Sequence, residues 1–167
     1  MAGHLIIGGD GLVGSALRRE MLRRKVPWVA TSRRAGSPPG VFLDLLNFDE
    51  FDLAVQGSHV YLVAAVSGFR ACEADPGSSW RVNVDAPIFL ADYYRQRSAK
   101  IVFISSEAVE SCGGTALGRQ KAAAEAYMRT IGVVIVRPAK ITPGRVDSFA
   151  SFVVDAAYGK PGLRRWE

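Results

Sequence analysis

Apolar and polar positions along the chain fall into blocks that are typical of a buried parallel sheet covered by helices. Short apolar runs predict strands at HLIIG (4–8), WVATS (28–32), VFLDL (41–45), VYLVAA (60–65), KIVFIS (100–105) and VVIVR (133–137). Amphipathic segments predict helices near 12–24, 48–56, 78–97, 118–131 and 148–158. Strands buried on both faces of a parallel sheet form continuous apolar runs, whereas half-buried strands alternate apolar with polar residues. The pattern therefore predicts an α/β fold with a doubly wound parallel sheet.

Turn-forming residues are concentrated in three segments between these elements, at 33–40, 67–79 and 111–118. Ligands of open parallel sheets bind outside the carboxyl ends of the strands, where such loops lie. We therefore expect the functional residues in or beside these loops.

Length and composition favour one ordinary globular domain, which we expect to span residues 1–167. Hydrophobic residues make up 49% of the chain and charged residues 22%. The longest apolar runs, such as 60–66, are far shorter than the roughly 18 residues of a membrane span. The first residues also lack the basic start and long apolar run of a signal peptide. We expect a cytoplasmic protein without membrane contact.

The net charge of +5 and pI of about 9.5 would suit an anionic partner, either nucleic acid or a phosphate-bearing small molecule. The basic residues of segment 16–25 surround an amphipathic helix, for which a solvated face is the simpler interpretation. No nucleic-acid-binding module is recognisable, so we expect no nucleic-acid partner. Cys72 and Cys112 are too few for a disulfide framework and lack metal-ligand spacing, so we expect reduced thiols and no metal.

A glycine-rich segment, GGDGLVG (8–14), follows the first predicted strand and opens the first helix. Gly8 suits a tight turn, Gly11 lets backbone N–H groups approach a pyrophosphate, and Gly14 allows close packing of helix and strand. This context favours a dinucleotide-binding loop. The predicted cofactor-binding residues here are Gly8, Asp10, Gly11, Leu12, Val13 and Gly14.

The end of the second predicted strand bears on the choice of cofactor. NAD usually requires an acid there for its ribose 2′-hydroxyl, whereas NADP requires arginine for its 2′-phosphate. The sequence has Ser32, Arg33 and Arg34 and no acid, and arginine pairs well with phosphate. We therefore predict NADP as the cofactor, with NAD as the less favoured one. The alternative is that both arginines only increase surface solubility.

Several ordered segments together resemble the short-chain dehydrogenase/reductase superfamily. The similarity is greatest to its extended, nucleotide-sugar-modifying branch, which includes dTDP-4-dehydrorhamnose reductases and NAD-dependent epimerase/dehydratases. It covers about residues 4–145 and is carried by GGDGLVG (8–14), FLDL (42–45), VAA (63–65), WRVNVDAP (80–87), VFISSEAV (102–109), GRQKAAAE (118–125) and VVIVRPAKITPG (133–144). The resemblance implies a Rossmann-type NAD(P)-binding fold, and makes a nucleotide-sugar substrate and a homodimer plausible.

The resemblance also implies further cofactor contacts, from Asp44, Leu45, Ala64, Ala65, Asn83 and Pro138. Asp44 and Leu45 would lie against the adenine, although an Asp after a strand can instead cap a helix. Ala64 and Ala65 would leave room for the cofactor, although small residues there are also ordinary packing. Asn83 would hold the network of the active-site lysine, or else bond to neighbouring backbone.

The reaction centre implied by the resemblance contains Ser106 and Lys121. Ser106, after Ser105, matches the family's Ser or Thr that binds the reacting carbonyl or hydroxyl. Lys121 matches the lysine that binds the nicotinamide ribose and lowers the pKa of a catalytic tyrosine. The family pattern Tyr-x-x-x-Lys has Leu117 in place of that tyrosine. Residues four apart share a helical face, so Leu117 should point into the same site without a proton to transfer.

Other side chains near the centre offer weak substitutes for the missing acid. A glutamate in that cavity, Glu107 or Glu110, could have a raised pKa and donate a proton, but a solvent-facing side chain is the simpler interpretation. Tyr127 lies on a different helical face, where packing is expected. We assign no nucleophilic role to Cys112.

Two functions are favoured over a third, a purely structural α/β protein with a vestigial glycine loop. One is an NADP-binding reductase or epimerase of the extended type, with hydride transfer impaired because Leu117 replaces the catalytic tyrosine. The other is a non-catalytic NAD(P)-binding regulatory or scaffold protein. The resemblance also implies a substrate lobe of roughly a hundred further residues, and we expect this lobe to be largely absent here.

Overall fold

The fold is described from a computed structural model, which covers residues 3–34, 36, 40–51 and 55–167. Its strands are β1 (His4–Ile7), β2 (Trp28–Ser32), β3 (Gly40–Phe42), β4 (His59–Leu62), β5 (Lys100–Ile104), β6 (Val134–Pro138) and β7 (Gly162–Trp166). Its α-helices are α1 (Leu12–Arg24), α2 (Phe69–Ala74), α3 (Pro76–Trp80), α4 (Ala86–Arg95), α5 (Ala108–Ser111), α6 (Ala116–Thr130) and α7 (Val146–Ala157). A 3₁₀ helix spans Leu45–Glu50, and a π-helical turn, Arg81–Asp85, joins α3 to α4.

The strands form one sheet in the order β3-β2-β1-β4-β5-β6-β7, and every neighbouring pair is parallel. The chain runs outward from β1 to β3 and then crosses back to place β4 on the other side of β1. The predicted doubly wound, Rossmann-type α/β fold is thereby confirmed. The reversal of strand order creates a crevice beyond the carboxyl ends of β1 and β4, which is where such sheets bind ligands.

Each face of the sheet has its own apolar layer, because successive side chains of a strand point to opposite faces. Leu5 and Ile7 of β1 pack with residues of α4 and α6. Ile6, between them in sequence, packs on the other face with residues of α1 and α7. The two layers fix the helices on either side of the crevice.

Several element boundaries differ from those predicted. The predicted third strand (41–45) is shorter, because Asp44 caps the 3₁₀ helix through a bond from the Leu46 N–H to its carboxylate, 3.0 Å. The predicted loop 67–79 largely forms α2 and α3, and α6 begins within the predicted loop 111–118. After the last predicted helix the chain forms β7. Part of the predicted helix 48–56, residues 52–54, lies outside the described residues.

The arginines of α1 are exposed or partly exposed, and carboxylates pair with them. Glu20 binds Arg23 and Arg24 at 2.7 and 2.6 Å, and Asp147 of α7 binds Arg19 at 2.7 Å. Much of this basic segment is therefore compensated within the fold. Within the described part of the chain, no helix combines the length and apolarity that crossing a membrane requires.

Candidate functional site

The glycine loop follows β1 directly and turns into α1 at the crevice. Gly8 has a φ of 99°, in the region that favours glycine, and its N–H donates to the Thr31 hydroxyl at 3.1 Å. A Cβ atom on Gly14 would lie 2.0 Å from the Gly8 carbonyl oxygen, so the helix can approach the loop only with glycine there. The predicted roles of Gly8 in the turn and Gly14 in close packing agree with this geometry.

Gly11 is the N-cap of α1 and borders open space. A Cβ atom on it would meet nothing within 4 Å. No side chain caps the helix here, and the first helical turn contains no acid. The free N–H groups and the dipole of a helix N-terminus favour an anion. The loop therefore fits a pyrophosphate group. Leu12 is exposed and Val13 half-buried at the same helix start.

The carboxyl end of β2 lies beside this loop. The Ser32 hydroxyl donates to the Asp10 carboxylate and accepts from the Arg34 N–H at 2.9 Å. Arg33 and Arg34 are exposed, and neither guanidinium has a partner within the described ranges. The sequence showed no acid after the strand, but folding brings Asp10 to that position from another segment.

Lys121 lies beneath the end of β5. Its side chain is buried, with a relative exposure of 5%, and its Nζ donates to the Ile104 carbonyl oxygen at 3.0 Å. Burial lowers the pKa of Lys121 to about 8, against an opposing effect of the nearby Glu125 carboxylate. Ser106, two residues beyond Ile104, is half-buried, and its hydroxyl accepts from the Ala108 N–H at 3.1 Å. The structure thus brings Lys121 to the strand end that carries Ser106.

Leu117 is buried one turn before Lys121, at 4% exposure, in a small cluster with Cys72, Ala108 and Ala116. The cluster is closed by α2, whose Glu73 carboxylate accepts from the Ala116 N–H at 2.6 Å. The position at which the resemblance implies a proton donor is therefore apolar and buried.

The segment from Leu117 to Lys121 contains a tight glycine contact. A Cβ atom on Gly118 would lie 2.2 Å from the Cys112 carbonyl oxygen, so only glycine lets α6 begin this close to the preceding loop. Thr115 caps the helix by accepting from the Gly118 N–H at 3.1 Å.

Asn83 is buried in the π-helical turn and braces the loop after β4. Its amide donates to the Val66 carbonyl oxygen and accepts from the Val66 N–H, both at 2.9 Å. It also donates to the side chain of Gln120 at 2.8 Å. Gln120 directly precedes Lys121 in the sequence. Asn83 thus bonds to distant backbone and reaches the lysine only through its neighbour.

The other predicted cofactor contacts lie around the same edge of the sheet. A Cβ atom on Gly8 would lie 2.6 Å from the Ala64 side chain, so the chain after β1 can approach Ala64 this closely only with glycine at position 8. Ala65 is half-buried in the loop that follows β4, Leu45 is buried beside the Asp44 cap, and Pro138 ends β6.

Glu110, one of the two glutamates considered as a substitute acid, forms ion pairs with arginine side chains instead. It pairs with Arg137 and with Arg165 of β7, and the Arg165 bond leads the effects that lower the pKa of Glu110 to about 2. A raised pKa is therefore wrong for this residue. Glu107 is exposed, and the Tyr127 hydroxyl donates to Asp92 at 2.6 Å, away from Lys121.

Fold and site together define a doubly wound α/β protein with a glycine loop at the crevice of its sheet. The sequence profile of the NAD dependent epimerase/dehydratase family matches residues 4–131, and the chain belongs to that family. No curated protein matches the sequence.

Solved structures share the fold at low sequence identity. A hypothetical dTDP-4-dehydrorhamnose reductase from Sulfolobus tokodaii is 18% identical with a TM-score of 0.84, over 99% of this chain and 76% of that one. A Brucella ovis oxidoreductase of the short-chain dehydrogenase/reductase family, with a partially ordered NAD, is 19% identical with a TM-score of 0.78 over the whole of both chains. MoeE5 in complex with UDP-glucose and NAD is 24% identical with a TM-score of 0.72, over 82% of this chain and 54% of that one.

Proposed function

We propose that the chain is a single NAD(P)-binding domain whose crevice, beyond β1 and β4, holds the dinucleotide. The observation that carries the proposal is the open space at Gly11, where a helix N-terminus without a side-chain cap or a first-turn acid meets a loop closed by Gly8 and Gly14. Such a terminus stabilises a pyrophosphate. NADP is the favoured cofactor because Arg33 and Arg34 are exposed beside the end of β2 and suit a 2′-phosphate.

The favoured activity is that of nucleotide-sugar reductases and epimerases, consistent with the family and with the UDP-glucose and NAD bound by MoeE5. The nicotinamide would supply or accept the hydride. Ser106 would orient the reacting oxygen, and Lys121 would hold the nicotinamide ribose after its bond to Ile104 rearranges. Because Leu117 has no transferable proton, the rate of hydride transfer should be lower by roughly 10² to 10⁴ than in a site with a positioned acid.

A non-catalytic NAD(P)-binding regulatory or scaffold protein is the second candidate. The buried cluster of Leu117 with Cys72 of α2 favours it, because an apolar side chain stands where the resemblance implies a proton donor. The glycine loop is unaffected by that cluster, so both candidates bind the cofactor.

Calorimetric titration with NADPH and NADH tests the binding proposal. Gly11→Asp should weaken both by at least about 100-fold, because it places a carboxylate at the pyrophosphate site, while Asp is a favoured N-cap that preserves the helix. Gly144→Asp is the matched control. A Cβ atom added to Gly144 also meets nothing within 4 Å, and this residue lies after β6, outside the glycine loop. A wild-type protein that binds neither cofactor would overturn the proposal.

An activity assay distinguishes the two candidates. The enzyme should oxidise NADPH in the presence of nucleotide-4-ketosugars and lose this activity in Ser106→Ala, whereas the non-catalytic protein should not oxidise it.

A further inference from the structure

A carboxylate occupies the corner between the glycine loop and the carboxyl end of β2. Asp10 enters it from the loop, and its Oδ2 accepts a hydrogen bond from the Ser32 hydroxyl. That hydroxyl also accepts from the Arg34 N–H at 2.9 Å, while the Thr31 hydroxyl accepts from the Gly8 N–H at 3.1 Å. These bonds join loop to strand and fix the position of Asp10.

The Asp10 carboxylate can still accept a hydrogen bond from a ligand. Its side chain is 25% exposed, and its Oδ1 forms a long ion pair with Arg18 Nη1 at 3.7 Å, beyond the distance of a direct hydrogen bond. The bond from Ser32 uses only part of the accepting capacity of a carboxylate, which has about four lone-pair sites. Asp10 can therefore accept a further hydroxyl.

In this fold the adenosine ribose lies at the end of β2, and its 2′ substituent is read there. A 2′-hydroxyl can donate to a carboxylate, whereas a 2′-phosphate is repelled by it. Arg33 and Arg34 favour the phosphate from the exposed side of the same strand end. The corner thus combines groups of opposite preference.

We propose that Asp10 is a specificity-determining residue that accepts the ribose 2′-hydroxyl and opposes a 2′-phosphate. It counteracts the two arginines, so the protein binds NAD(H) as well as NADP(H). The inference rests on the proposed dinucleotide function and concerns only the adenosine end of the ligand. It assigns to the glycine loop the carboxylate that NAD-binding members of this fold usually place after the second strand.

The test compares affinities for NADPH and NADH, and for adenosine 2′,5′-bisphosphate and 5′-AMP. The second pair differs only at the 2′ position and does not enter the nicotinamide side of the crevice. In Asp10→Asn, which keeps an acceptor for Ser32, the preference for the phosphorylated member of each pair should rise at least about tenfold. Asp10→Thr should shift it in the same direction, and thermal unfolding checks that both variants fold.

Asp147→Asn is the matched control, because it makes the same change in net charge at a side chain that is 71% exposed on α7 and pairs with Arg19. Its preference should equal that of the wild type. If the wild type binds but its preference is unchanged in both Asp10 variants, or changes equally in Asp147→Asn, the inference is overturned and the proposed function stands. If the wild type binds none of the four ligands, both fail.

Discussion

Lys121 and Leu117 lie one turn apart on α6 and differ in what they can offer a reaction. Lys121 still reaches the end of β5, and its ammonium uses one of three donors on the Ile104 carbonyl. Leu117 instead joins an apolar cluster with Cys72, a fully buried residue of α2. At this position the departure from the tyrosine that the resemblance implies coincides with a buried, apolar side chain. A tyrosine at position 117 would therefore change both the chemistry of the side chain and its packing.

Leu117→Tyr is expected to lower the free energy of unfolding by about 1–3 kcal/mol, because the larger ring overpacks the contact with Cys72. Urea unfolding measures this loss. Leu117→Met, which nearly conserves volume, is the control and should cost less than about 1.5 kcal/mol.

Adding Cys72→Ala to Leu117→Tyr should recover part of the lost stability, because residues in contact are energetically coupled. Strictly additive effects of the two substitutions would contradict the contact. NADPH oxidation that appears in the double variant but not in the wild type would favour the enzyme over the non-catalytic protein.

At the scale of elements, a charged network ties the helices behind the site to the last strands. Arg137 of β6 makes two bonds to Glu125 of α6, both 2.6 Å, and both side chains are buried. Arg137 also bonds to Glu110 of α5, which binds Arg165 of β7. The network fixes α6, and with it Lys121, against the sheet.

Glu125→Gln should destabilise the protein by about 3–5 kcal/mol, because it leaves a buried guanidinium without its main carboxylate. Glu110→Gln should cost clearly less, since that carboxylate is 52% exposed and solvent screens its pairs. Chemical unfolding of the two variants side by side measures the difference. Equal losses would show that burial does not set the strength of this network.

The sequence predicted the elements whose pattern is local. Strands such as Val134–Pro138 are buried throughout and read as apolar runs. The strand Gly162–Trp166 was missed because it lies at the sheet edge, is largely half-buried and contains two arginines. Likewise, the family pattern identified Lys121, but the Asp10 contact with Ser32 joins residues 22 apart and has no local signature.

At the scale of the whole molecule, the two ends of the sheet differ in chemistry. The carboxyl ends of the strands carry the cofactor crevice, whereas the amino ends of β1 and β4 carry stacked imidazoles, His4 and His59, 4.8 Å apart. His4 is hydrogen-bonded to the Tyr61 hydroxyl at 2.9 Å and to the Tyr158 hydroxyl at 3.3 Å. Burial, followed by His59 and Arg24, lowers the pKa of His4 to about 4, and burial and Lys100 lower that of His59.

This cluster predicts a loss of stability in mild acid. Because the folded-state pKa of His4 lies below its unfolded value of 6.5, the unfolded chain binds more protons between pH 6.5 and about 4. Stability therefore falls as the pH is lowered, by about 2 kcal/mol from pH 7.5 to 5 for His4 alone. Glu20 and Glu110, with pKa values lowered to about 2, lose their contribution only below the ordinary carboxyl value of 4.5.

Urea unfolding between pH 7.5 and 5 isolates the histidines, of which the chain has two. His4→Gln should flatten the dependence of unfolding free energy on pH over this range, whatever its effect on stability at pH 7.5. Tyr158→Phe removes a hydrogen bond but no group that titrates there, so it should keep most of the wild-type slope. A wild-type slope that survives His4→Gln and disappears in His59→Gln would assign the effect to the second imidazole. A flat wild-type profile would mean that neither imidazole is held neutral by the fold.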